Sequence, residues 1–500
     1  MRRGAPGGAA NGGYCDGRHG CEPSLISRCE HKGRQLVNAT RAPLTSPLFW
    51  AARAAIKLAG VSAGRTVKPS ALAEGMYRRE ILPWALLGLA LGLVEGATAA
   101  VLVKQHFAGV APRFVVNLAV ALVSGAPAFS NVLSFVWANV AHGRARVRLM
   151  VALQGAFALL VGCVAFASHA AAGLAITVAS IVSARVLWAG ILTVRAAVWT
   201  ANYPRNVLAR ITGRIAIVNA IAVATSAALV GWVLEAHALD ARWLYGGGAV
   251  AGLTGAWLYR SMRVRREFRL LAAEAASSPR SEPFSLRMLT QILREDPSYR
   301  EYMLWMGIFG GGNLILTAQL VLVFSEQLHL SSAVQIGLLA VVPLITQPLF
   351  LPWWARLFDG SHVVRYRSRQ GWAIVLATAA MCAGVFSGTP ALLWVGAVLL
   401  GAAQAGANLG WNLGHNDFAS IGRAQHYMGV HVTLTGLRGG LAPPVGVLAY
   451  MGLEGWHPGA GEFALLLPLA MTAAGALGFK RMQSALADAR VLTEETRGEQ

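Results

Sequence analysis

Charge is scarce in this chain. Only 13% of its 500 residues are Asp, Glu, Lys or Arg, about half of the roughly 25% found in soluble domains, and that shortfall excludes a water-soluble globule. Lysine is nearly missing, with 5 Lys among 43 basic residues. None of the five follows a Gly, so there is no Walker A loop and ATP is not the direct energy source. Cysteine numbers five: Cys15, Cys21 and Cys29 precede any apolar run and Cys163 and Cys382 lie inside such runs, so no disulfide framework is indicated. The spacing of the first three with His19 and His31 matches no zinc pattern, and neither a metal nor a cofactor is expected. Enzyme signatures are equally thin. No HExxH occurs, and the one GxSxG match, Gly60 to Gly64, lacks the strand and helix that build a nucleophile elbow.

What is abundant is apolar. Hydrophobic residues make up 55%, the mean hydropathy is +0.50, and there are 55 Gly and 15 Trp. Gly lets helices approach closely in lipid and Trp settles at the headgroup level. Twelve runs can cross a hydrocarbon core of about 30 Å: approximately 81 to 103, 114 to 139, 149 to 168, 171 to 194, 215 to 234, 243 to 259, 303 to 325, 333 to 353, 371 to 388, 391 to 413, 428 to 452 and 463 to 479. They are too long for barrel strands and lack barrel alternation, so an all-α integral membrane protein is expected. Residues 1–75 read as a disordered basic leader, in which 48 to 59 is at most a surface-lying helix, and Met76 is a second candidate start.

The net charge of +20 suggests nucleic acid only until its placement is seen. Of the 43 Lys and Arg, 38 fall on the side of the termini and the central segment, three (Lys104, Arg113, Arg242) fall opposite, and two (Arg185, Arg438) lie within spans. The positive-inside rule then puts both termini in the cytoplasm of a plasma (inner) membrane, with the lipid bilayer, not nucleic acid, as the neighbour.

The charged segment 261–300 divides the spans six and six. His142-Gly143 with Arg144, Arg146 and Arg148 follows the second span, and Asp359-Gly360 with Arg365, Arg367 and Arg369 follows the eighth. Asn202-Tyr203-Pro204, Arg210 and Gly213 follow the fourth, as Asn416-Asp417-Phe418, Arg423 and Gly429 follow the tenth. On these residues the chain over about 76 to 482 resembles the major facilitator superfamily. Its loop signature keeps the acid as Asp359 in the second copy and carries His142 in the first, and Arg185 resembles the fourth-span arginine of the family, with Gly190 following one residue late. The resemblance implies twelve helices in two six-helix bundles related by a pseudo-two-fold axis: a leader 1–75, bundles 76–260 and 301–482, a cytoplasmic loop 261–300 and a tail 483–500. It also implies a monomer that carries a small-molecule substrate.

Polar residues inside the spans agree with that arrangement. They concentrate in spans one, four, seven and ten, as Glu95, Arg185, Asn313 with Gln319, and Gln404 with Asn408 and Asn412. In the resembling fold these four spans line the cavity. Gln404, Asn408 and Asn412 share one helix face, which His415 extends; they either line the cavity or act as interhelical glue. Gly310 to Asn313 is expected to interrupt the seventh span, either as a bend or as glycine tolerated against a neighbour. Arg438 lies near mid-depth of the eleventh. Asp359, with Arg365, is expected to form a cytoplasmic gating latch or else a topology signal. Glu95 is the only acid placed well inside a span. Burial there disfavours its charge, which suits a proton-coupling carboxylate, while a static ion pair with Arg185 or Arg438 is the alternative. The function expected is secondary active transport by alternating access, against a receptor or assembly factor of the same fold or, further off, an intramembrane enzyme.

Overall fold

The computed structural model describes residues 71–236, 241–276, 286–419 and 423–498, so the expectations for 1–70 fall outside the described residues. Among these the chain is helical and contains no strand, as a lipid environment that cannot hydrogen-bond to the backbone demands. Twelve helical units follow one another. Span 1 is Ala71–Leu93 with Gly96–His106, and span 2 is Arg113–Phe129 continued through Ser134–Ala141. Spans 3 to 6 are Arg146–Cys163, Ala171–Asn202, Arg205–Ala236 and Ala241–Tyr259. Span 7 is Pro297–Glu326, and span 8 joins Ser332–Ile336 to Val342–Asp359 through a π turn. Spans 9 to 12 are Val363–Ser387, Pro390–Leu413, Ala424–Trp456 and Leu466–Gly498. Ten of these are long and apolar enough to cross a membrane by composition alone. Spans 6 and 11 are diluted by Gly246 to Gly248 and by His431, Arg438, Pro443 and Pro444.

Three boundaries differ from expectation. The first helix begins at Ala71, five residues inside the expected leader, because charged residues before an apolar run continue a helix at no cost in water. The segment 261–300 holds two helices, Glu267–Ala276 and Leu286–Glu295. The second is amphipathic, burying Leu289 and Ile292 against Tyr299, Tyr302 and Tyr427. The twelfth helix absorbs the expected tail as far as Gly498.

Spans 1 and 7 are the most enclosed, with 78% and 72% of their apolar windows buried. Spans 3, 6, 9 and 12 turn large apolar side chains outward, among them Leu159, Trp257, Leu376 and Leu477, which in a bilayer is the lipid-facing surface. The halves meet through spans 2 and 11 and through spans 5 and 8. Glycine makes these approaches possible: a Cβ on Gly439 would lie 2.6 Å from the Phe129 nitrogen, and one on Gly231 would lie 3.0 Å from the Ala333 Cα.

The loop after span 2 lacks its expected acid, and the central segment supplies one. Glu274 accepts from the Gly143 N–H at 2.8 Å and pairs with Arg146, while Glu267 accepts from the Arg146 N–H at 2.9 Å. Carboxylates from residues more than 120 positions away thus occupy the N-terminal end of span 3, where helix N–H groups favour negative charge.

Candidate transport site

Span 1 is discontinuous where its acid sits. Val94 and Glu95 leave the helix, Glu95 with φ −71° and ψ 139°, and Gly96 restarts it. Gly92 and Gly96 bring the two segments against spans 5 and 2. The Glu95 carboxylate does not cap its own helix; it reaches span 4 and accepts from Arg185 Nη1 at 2.9 Å, with 28% of the Glu95 side chain exposed and 9% of Arg185. Of the two partners the sequence offered for an ion pair, Arg185, not Arg438, is the one that Glu95 meets. Gly190, one turn on, leaves room for the Trp137 ring, whose Nε1 donates to Val186 O at 3.0 Å.

Span 7, by contrast, is unbroken through Gly310-Gly311-Gly312-Asn313, which corrects the expected interruption. These glycines serve approach, not bending. A Cβ on Gly310 would lie 2.6 Å from the Arg438 Cζ, and one on Gly312 would lie 2.9 Å from the Met471 Cβ. Arg438 is thus seated flat on the seventh helix, donating from Nη1 to Met306 O at 2.5 Å and from Nη2 to Thr435 Oγ1 at 3.1 Å. Asn313 lies one turn beyond Gly310 and is half-buried. Gln319 is fully buried and donates to Gly446 O at 2.9 Å, a packing bond between spans 7 and 11.

On span 10 the amide face is built as the spacing predicts, with a partner that sequence reasoning missed. Gln347 of span 8 donates to Gln404 Oε1 at 3.2 Å and accepts from Asn408 Nδ2 at 3.1 Å. Asn412 donates to Asn408 O at 2.7 Å, and both asparagines are exposed. His415 is buried at the inner end of this face. A lone glutamine ahead of Pro348 was the only signal for Gln347. Asn408→Leu and Asn412→Leu are expected to raise the substrate KM about tenfold each, the scale of one lost hydrogen bond, with unchanged folded yield. A lower yield with normal KM would show that they pack and do not bind.

Asp359 and Arg365 are both exposed and no bond joins them, so the expected gating latch is not formed in this structure. The start of span 9 is held instead by Asp417, which accepts from the Val363 N–H at 2.6 Å.

The sequence matches the family described as Major Facilitator Superfamily over residues 81–443. The chain belongs to that superfamily. A comparison with curated protein sequences finds no match. Among solved structures the facilitator chain is similar to a point mutant of the nucleoside transporter NupG, at 13% identity and a TM-score of 0.59 over 82% of this chain and 99% of that one. It is similar to a D-xylose–proton symporter at 12% identity and a TM-score of 0.59, over 81% and 97%. A bacterial homologue of the human lysosomal transporter Spinster, inward-facing and occupied, matches at 11% identity and a TM-score of 0.58, over 83% and 98%. At these identities the likeness is one of fold, that of membrane transport proteins.

Two further clusters organise this facilitator. At the end of spans 1 and 7 away from the termini, Glu326 collects Lys104 and Arg113 from the first half, and Tyr450 OH at 2.7 Å from its own half. Lys104 also donates to Asn117 Oδ1 at 2.6 Å, Gln105 donates to Ser325 Oγ at 3.3 Å, and Ser331 donates to Glu235 at 3.0 Å. These bonds join the two halves at the end away from the termini, while spans 4 and 10 make no extensive contact with each other. At the opposite end of span 1, Glu80 is fully buried, although it directly precedes the first apolar run. Its carboxylate accepts from Trp199 Nε1 at 2.7 Å, Trp84 Nε1 at 3.1 Å, Tyr259 OH at 3.1 Å and Tyr203 OH at 2.5 Å. Burial and then the neighbouring Glu80 charge push the Tyr203 phenol upward, so it remains a donor at working pH. Arg195 stacks on Trp199 and Trp84, 4.3 and 4.8 Å from the ring centroids. Glu95 is accordingly not the only acid inside a span.

Proposed function

We propose that this protein is a secondary transporter that moves a small organic solute by alternating access, working as a monomer in the inner membrane with both termini cytoplasmic, and that Glu95 couples transport to protons. The observation that carries the reading is the Glu95–Arg185 pair at the break of span 1, 2.9 Å long and partly exposed. A carboxylate with one cationic partner and access to water has two stable states: ionised on Arg185, or protonated with Arg185 released to another anion. Exchange between the two ties a proton to a change in what Arg185 holds. Membership of the facilitator superfamily favours this reading over an intramembrane enzyme.

Purified protein in liposomes tests this. The native chain is expected to accumulate substrate under a pH gradient with the acid outside, whereas Glu95→Gln should keep exchange of substrate across the membrane and lose accumulation. Gradient-driven accumulation by a well-folded Glu95→Gln protein would sink the coupling role. No flux of any solute by the native protein would favour a receptor or assembly role instead.

A further inference from the structure

Among the described residues of the first half, Arg185 and Arg195 each have a carboxylate at hand. Arg185 is paired with Glu95, and Arg195 sits in the field of Glu80. The second half breaks this rule. Arg438 binds only the Met306 carbonyl and the Thr435 hydroxyl, its Nε is buried without a partner, and the charged neighbour that acts on it is a second arginine, Arg367. Arg367 is 1% exposed, donates to Gln370 Oε1 and Ala407 O, and likewise leaves Nε unpartnered. His431, 1% exposed on the same span as Arg438, has no partner for either ring nitrogen, and Arg438, Arg367 and His415 all act on it electrostatically. No ion pair neutralises any of these groups among the described residues. Isolated buried charge costs many kcal/mol unless it is compensated, so an arrangement with cations and no anion is complete only when the anion arrives from outside.

The donors also converge. Trp411 of span 10 donates to Thr435 Oγ1 at 3.2 Å, the same oxygen that accepts from Arg438, and its ring lies 5.4 Å from His431. Asn412 is exposed on the next residue. Arg438 itself retains partial exposure, and Trp411 brings span 10, the span of the amides, to the Thr435 hydroxyl that Arg438 also holds. With Nη1 committed to Met306, the free edge is Nε with the second hydrogen of Nη2, the planar fork that fits a carboxylate.

We infer that Arg438, with His431 and Trp411 beside it, is the binding site for the carboxylate of a small organic anion, and that this anion is the solute transported. The inference rests on the transport reading and narrows its substrate class. Gly310 supports the site by letting the guanidinium lie against span 7.

The test uses the full chain purified in detergent, with melting temperature read against acetate, benzoate, succinate, glutamate, inorganic phosphate and sulfate at constant ionic strength, and benzamide as the uncharged match for benzoate. A ligand that binds only the folded state raises melting saturably. At least one carboxylate is expected to do so at millimolar concentration or below. The response should be lost in Arg438→Gln, weakened about tenfold in Arg438→Lys, where the fork is gone and the charge remains, and unchanged in Arg287→Gln, an exposed arginine of the central segment. No carboxylate response, a response to phosphate or sulfate alone, or an equal response in a folded Arg438→Gln protein would each overturn the site. Liposome flux of the carboxylate giving the largest shift separates the two readings. Binding without flux sinks transport and keeps the site; flux of another solute with no carboxylate response sinks the site and keeps transport.

Discussion

Glu326→Gln is expected to part the outer ends of the two halves. Glu326 is the one carboxylate that Lys104 and Arg113 share, and Lys104 is 9% exposed, so removing the charge strands a buried ammonium whose remaining partner is Asn117. Breaking a buried pair costs about 3 to 5 kcal/mol; because Arg113 is 52% exposed its share is small, and about 2 to 4 kcal/mol is expected in all. At 1.4 kcal/mol per tenfold, that shifts the balance between outer-closed and outer-open forms by roughly 30- to 700-fold. Since the amide keeps the shape of the acid, the folded yield should hold. The reporter is Val116→Cys in a chain otherwise free of cysteine: Val116 is 2% exposed and lines the outer cleft with Lys104 and Glu326. An impermeant maleimide added to intact cells should label Val116→Cys slowly in the parent and rapidly beside Glu326→Gln. Gly109→Cys, in the loop after span 1, should label in both. Equal slow labelling at 116 would remove Glu326 from the closure. Silence at 109 would reverse the orientation in the membrane.

Glu80→Ala is expected to be the most destabilising single change among those considered. Four donors from spans 1, 4 and 6 and the turn after span 4 end on this carboxylate, and each buried donor left empty costs about 1 to 3 kcal/mol. The indoles and phenols share one site, so their losses are not additive. Even so, about 4 kcal/mol or more should be lost, and Arg195 loses the Glu80 countercharge as well. Glu80→Gln should fall between, because the Tyr203 hydroxyl at the second oxygen can rotate to accept from the new amide while the indoles and Tyr259 still donate to the remaining oxygen. Thermal melting in detergent and the monodisperse fraction on size exclusion measure both. An Ala variant melting with the parent would mean that the Glu80 cluster is incidental to the packing of the first half.

Composition, run length and the sorting of Lys and Arg by themselves determined that this chain is a twelve-helix membrane protein with duplicated halves, and which spans carry polar side chains. Those properties are local. Transfer of a 20-residue window into lipid depends on the residues within it, and the side of a loop depends on its own basic residues, so one strand of text suffices. The i, i+4, i+8 amides of span 10 were legible for the same reason, since helix periodicity places them on one face whatever surrounds it.

Partnership was decided by the tertiary structure. Glu95 faces Arg185 across 90 residues, Glu326 meets Arg113 across 213, and Arg146 finds Glu274 across 128. Helix rotation and tilt set those distances, and no periodicity in the sequence records either. Two of the three basic residues that stood apart from the majority on the side of the termini, Lys104 and Arg113, are the ones that grip Glu326. Burial was also decided there wherever a charge is satisfied by neutral donors. Glu80 lies just ahead of the first apolar run and is fully buried, because hydropathy measures cost in the absence of partners and four hydrogen bonds remove that cost. The Gly310 to Gly312 run shows the converse, since glycine marks either a break or a close approach and only a neighbour distinguishes them. Here the neighbours are Arg438 and Met471, and the helix is unbroken.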